Sequence, residues 1–197
     1  MTENLLPLAL FAIAGAFTPG PNNVMVTASG QAFGFARSVP HMAGVTVGFV
    51  VLLVAFGLGL GQFFMLFPRL HDALRFVGVA YLLYLAWRIA TAGDPAAGKG
   101  SSRPLTFVEA ALFQWVNVKG LVVAASVVTA YTTGGTRLAS ELTMIVVVFA
   151  LATAGAVIVY CLFGVAINRL LKSDRARRLF NYSMAALVAL SVGLLFI

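Results

Sequence analysis

Long apolar stretches, separated by short polar ones, run the whole length of the chain. Six can be read, at about 4–33, 40–67, 71–90, 105–131, 141–167 and 179–197. Each is near or above the ~20 apolar residues that carry an α-helix across a bilayer. The first, second, fourth and fifth run long. At 1.5 Å per residue a 30-residue helix measures about 45 Å, against a hydrocarbon core of ~30 Å. Tilt, kinking or interfacial extension must absorb that excess.

Polar interruptions inside two of the stretches say where a kink falls. The first stretch contains Thr18-Pro19-Gly20-Pro21-Asn22-Asn23. Proline lacks the N–H an inner helical turn needs and clashes with the turn before it, so Pro19-Gly20-Pro21 breaks the helix. The break is near the middle of its segment, which places it near the bilayer midplane. Asn22 and Asn23 follow at once, and capping of the resumed helix is one role for them. A capped helix N-terminus still offers N–H groups and a positive dipole end. The fourth stretch contains Gln114-Trp115-Val116-Asn117-Val118-Lys119-Gly120, also near its middle. Lys119 at that depth costs about 2.5–3.5 kcal/mol on insertion scales, so it faces the protein interior or an aqueous cavity. Broken helices with polar residues at the break mark substrate sites in membrane transporters. The candidate binding residues are therefore Asn22, Asn23, Gln114, Asn117 and Lys119. Structural readings stand beside this one: a carbonyl or carboxylate partner for Lys119, and interhelical hydrogen bonds for Gln114 and Asn117. With helix ends, amides and one lysine, and no acid close by, such a site suits the carboxylate of a small zwitterion. Glu109, the closest acid, is about ten residues from Lys119, or ~15 Å of helix.

Composition agrees with the pattern. Of 197 residues 61% are hydrophobic and 10% charged, and the mean hydropathy is +0.99. The chain is read as one integral membrane domain, all α-helical. The net charge of +7 invites a nucleic-acid partner, but the basic residues sit in short loops, where they orient a membrane protein. Nine of them follow segments one, three and five, and three lie in the other loops, with Lys119 inside segment four. By the positive-inside rule both termini face outward. Leu5–Phe17 is read as a spanning helix, since a signal peptide carries a positive leading region and the early charge here is Glu3. Cys161, the one cysteine, reads as a small buried hydrophobe. No metal-ligand cluster, cofactor loop or nucleophile–base set appears, which argues against an enzyme. His41 lies at a segment end. Tyr81, Tyr84 and Trp87 share a helical face, as core or pathway. Gly30-xxx-Gly34 and Gly44-xxx-Gly48 suit close helix packing within the chain, with a homodimer face as the alternative.

A Gly-, Pro- and Ser-rich stretch at 91–104 divides the chain into halves at about 1–90 and 105–197, of three segments each. An odd number gives the second half the opposite orientation. Two inverted three-helix repeats, with helices 1 and 4 broken near the midplane, are the expected architecture.

These residues also resemble a known family. Pro19-Gly20-Pro21-Asn22-Asn23 is similar to the signature of the lysine exporter family of amino-acid exporters (LysE/RhtB). Gly30 to Gly48, Gly78 to Arg88 and Phe113 to Lys119 look similar to it too. Where the family commonly has Asn-Pro-Lys this chain has Asn117-Val118-Lys119, which predicts a softer second break. The cysteine and O-acetylserine exporter branch is similar in having Asn-Val-Lys. The resemblance implies a secondary-active exporter of small amino acids or their derivatives in the bacterial inner membrane, driven by proton antiport. A passive channel is the competing reading. For the proton the candidates are Lys119, Glu109 and the zwitterion itself.

Overall fold

The computed structural model describes residues 5–61, 68–92, 103–171 and 173–195. Among them are eight α-helices, two short 3-10 turns and no strand. The helices are α1 (Leu5–Phe17), α2 (Pro21–Phe33), α3 (Phe35–Gly57), α4 (Pro68–Ala90), α5 (Phe107–Phe113), α6 (Val118–Tyr131), α7 (Leu138–Leu170) and α8 (Asp174–Leu190). Residues 93–102 of the expected linker, and the side chains of Arg69, His71, Asp72 and Arg75, lie outside the described residues.

Both expected breaks are present. α1 meets α2 at 57° and α5 meets α6 at 63°. The second break is thus as sharp as the first, and the softening expected from Val118 does not occur. Among the described residues, Phe35–Gly57 and Gly135–Leu170 are each long and apolar enough to cross a membrane, and counting each bent pair as one span gives four. The stretches expected at 71–90 and 179–197 are helical over their described residues but less uniform. The apolar part of α4 is Phe76–Ala90, and α8 opens on Asp174-Arg175-Ala176-Arg177-Arg178. These two helices pack on each other.

Local chemistry sets the helix ends. Pro21 occupies the first turn of α2, where its missing N–H is not needed and its fixed φ suits the helix. Gly34 joins α2 to α3 at φ 78°, a conformation that favours glycine. Thr106 and Glu109 form a capping box at the start of α5: each side chain accepts from the other's backbone N–H.

Glycines then let backbones touch. Among the described residues the largest helix contact is α2 on α7. A Cβ on Gly30 would fall 2.2 Å from the Cys161 carbonyl oxygen, and one on Gly164 2.0 Å from that of Thr27. Gly44 and Gly48 seat α3 on α5 in the same way. Small residues at such crossings gain the van der Waals contact that drives helix association in lipid. Gly34 has no such contact and serves the turn instead.

The apolar interior has two parts. One joins α2, α4, α5 and α8 to Met42 and Val45 of α3 and to Val157 and Cys161 of α7. The other joins α1 and α6 to Phe49–Phe56 of α3 and to Ile145 and Phe149 of α7. α3 and α7 run through both, and the two breaks fall at the level where the parts divide. Outward, large apolar side chains are exposed along the helices, among them Leu6, Leu58, Leu151 and Leu170. Gln114, His41, Asn117, Asn23 and Arg88 are buried. Apolar residues outside and polar ones inside suit hydrocarbon surroundings.

Candidate functional site

Breaking a helix in an apolar interior frees backbone carbonyls, each of which needs a donor. At the end of α1 these donors come from both near and distant residues. Thr18 donates its backbone N–H and its hydroxyl to Ala14 O. Asn23 Nδ2 donates to Ala16 O (2.9 Å) and to Thr18 O (3.0 Å). The Tyr160 hydroxyl of α7 donates to Phe17 O at 2.8 Å. The Lys119 ammonium, from the opposite half of the chain, donates to Thr18 O. Asn23 therefore reaches back to seal α1. The capping role expected for Asn22 or Asn23 is not filled, because no side chain caps the N-terminus of α2.

The second break needs less help. Gln114, Trp115 and Val116 each donate a backbone N–H three residues back, to Ala111, Leu112 and Phe113. Asn117 starts α6 without a side-chain cap. The two breaks are tied by a reciprocal amide pair: Asn22 Nδ2 donates to Gln114 Oε1 (2.8 Å), and Gln114 Nε2 to Asn22 Oδ1 (3.2 Å). Gln114 Nε2 also donates to Ala110 O at 2.8 Å, which fixes the side chain.

A cleft of about 520 Å³, its open mouth included, lies between the breaks. All five predicted binding residues line it, as do Gly20 and Pro21. Its walls include Val45 and Phe49 of α3 and Phe149, Thr153 and Val157 of α7. Pro19 is not among its lining residues; it stands in the break itself. Among the described residues no Asp or Glu lines the cleft, while Lys119 does and α2 and α6 both begin there. Two positive helix ends and an ammonium favour an anionic group. Lys119 also packs on Gly20, where a Cβ would fall 2.9 Å from its Cδ. A further opening beyond Lys119 reaches Leu82 and Ser191. Thr153 was not among the expected site residues, although a hydroxyl in the middle of an apolar stretch was the signal for it.

Glu109 is not brought to this cleft. Its carboxylate accepts from Arg88 (3.2 Å), from Arg103 (2.7 and 3.0 Å) and from the backbone N–H of Thr106. It ties α4 and the segment before α5 to the capped end of α5. Tyr81, Tyr84 and Trp87 do not line the cleft either. Tyr81 and Tyr84 stack at 6.0 Å and Tyr81 meets Phe113, while Trp87 is exposed. His41, expected at a segment end, is instead enclosed within α3 at 0% exposure.

Two broken helices turn their polar ends to one cleft inside an apolar helical bundle, the arrangement in which membrane transporters build substrate sites. The chain belongs to the LysE type translocator family, whose model matches residues 13–197. Among its relatives is a protein of Salmonella choleraesuis named cysteine/O-acetylserine efflux protein, 36% identical over 115 residues. That match covers 55% of each chain. Proteins of the same name from Klebsiella pneumoniae and Escherichia coli O1:K1 are 36% and 34% identical, over 60% of this chain and 61% of theirs. The chain thus spans little more than half the length of these relatives. No solved structure matches it.

Proposed function

We propose that the chain is a secondary-active exporter. It moves small neutral amino acids or their derivatives outward across the bacterial inner membrane, by proton antiport and alternating access. The observation that carries this is the cleft in which both helix breaks present Asn22, Asn23, Gln114, Asn117 and Lys119, with no acid among its described lining residues. Lys119 takes the substrate carboxylate, exchanging Thr18 O for it, and the amides of Asn22, Asn23, Gln114 and Asn117 are the polar groups left for the rest of a small zwitterion. The names of the relatives favour cysteine and O-acetylserine as first substrates to try.

Contacts that match on exchange of the halves support two inverted three-helix repeats. α1 on α7 has its counterpart in α5 on α3, and α2 on α7 in α6 on α3. On that architecture the basic loops face the cytoplasm and both termini face outward. A C-terminal reporter active only in the cytoplasm is then silent.

Proteoliposomes under an imposed pH gradient test the function. Saturable, gradient-coupled movement of cysteine, O-acetylserine or serine is expected. Unsaturable flux indifferent to the gradient would make the protein a channel. Failure to move any amino acid would end the proposal.

A further inference from the structure

A second cleft of about 360 Å³, mouth included, shares no described lining residue with the first. Ser29 of α2, His41 of α3, Arg88 of α4 and Arg103 line it among apolar side chains. The His41 ring is fully enclosed, and its Nδ1 lies 2.9 Å from Ser29 Oγ. Its Nε2 is buried with no hydrogen-bond partner among the described residues. Native proteins seldom leave a buried polar atom unpaired, and one that persists calls for a functional explanation.

We propose that His41 carries the coupling proton, an inference that rests on the proton-antiport reading above. In the tautomer that donates Nδ1–H to Ser29 Oγ, Nε2 keeps its lone pair. Nε2 takes a proton from water in the opened cleft, giving an imidazolium with an N–H on each nitrogen, and returns it to water on the other side. An imidazole in contact with water changes charge in the physiological range, so His41 takes up its proton only while the cleft is open. The two side chains expected from sequence are otherwise engaged. Both Glu109 oxygens accept hydrogen bonds, and Lys119 is assigned to the substrate.

The surroundings supply the coupling. α4 contributes Arg88 and Tyr81, α5 contributes Glu109, the segment before it Arg103, and α7 the Cys161 thiol. Arg37, on α3 itself, is exposed over the Phe33 ring. Two guanidinium groups and one carboxylate leave the Arg88–Glu109–Arg103 group with one positive charge. A proton on His41 adds another between α2, α3 and α4. Ser29 is seven residues along α2 from Asn22, about 10 Å of helix. A shift of α2 away from α3 therefore reaches the binding cleft.

The test compares wild type with His41→Gln in proteoliposomes. Transport driven by a pH gradient and gradient-free exchange of labelled substrate are both measured. The proposal expects His41→Gln to lose gradient-driven transport to the level of empty vesicles and to keep exchange. A variant still driven by the gradient, or one that loses both activities together, overturns it. A wild type with no gradient coupling overturns the antiport reading itself. Should the variant not fold, the intact protein labelled with 15N-histidine decides by NMR, with His71→Gln for assignment. A His41 ring that changes protonation between about pH 5 and 8 upholds the proposal, and one that stays neutral throughout refutes it.

Discussion

At the break between α1 and α2 the chain has two prolines around a glycine, and at the break between α5 and α6 it has none. Yet the bends are 57° and 63°. The difference lies in how the freed carbonyls are paired. The first break borrows donors from Asn23, Tyr160 and Lys119, while the second closes itself with three short-range backbone bonds. A bend in a membrane helix is thus fixed by where the orphaned backbone groups find partners, more than by the residue that starts it. The borrowed donors have a further effect, since Lys119 of one break is held by the carbonyl of the other.

The largest effect is expected where both half-helices dock. Gly164→Leu drives a side chain into the Thr27 carbonyl, and Gly48→Leu drives one into the Ala111 backbone. Each should cost about 3 kcal/mol or more through overpacking, read as loss of the monodisperse species in detergent gel filtration. If one break tolerated this and the other did not, their docking would differ in kind.

Next comes Lys119→Ala. On its proposed role as a charged donor to the carboxylate, its removal should weaken substrate binding ~10–100-fold, from the 1.5–3 kcal/mol of such bonds. Binding of labelled amino acid to purified protein checks it. Wild-type affinity in the variant would detach the second break from the site.

The asparagines then separate the breaks. Asn23→Ala removes two bonds that seal α1 and should lower stability by about 1–3 kcal/mol. Asn117 makes no side-chain hydrogen bond among the described residues, so Asn117→Ala should stay within about 1 kcal/mol of wild type. Melting followed by tryptophan fluorescence compares them, and equal losses would erase the distinction between the two breaks.

The smallest effect belongs to Val118→Pro. Val118 is the first residue of α6, and Asn117 before it is extended at φ −83°, ψ 97°, which suits a residue preceding proline. Stability should be unchanged or higher by up to about 1 kcal/mol. A clear drop in melting temperature would mean that the bend of α5–α6 depends on the valine.

The sequence by itself determined the apolar stretches, both breaks and the five polar residues that line the cleft. Their signals are local: a proline pair, amides and a lysine stand out against apolar neighbours because hydrocarbon makes each of them costly. Only the tertiary structure decided their partners. Asn23 turns back to α1 instead of capping α2, Glu109 is spent on two arginines instead of the cleft, and Thr153 and Tyr160 join from α7. It also enclosed His41 beside Ser29, where a residue count had left it at a segment end. Each of these outcomes depends on which helices cross and on the glycines that let them touch, and such crossings couple residues far apart in the chain.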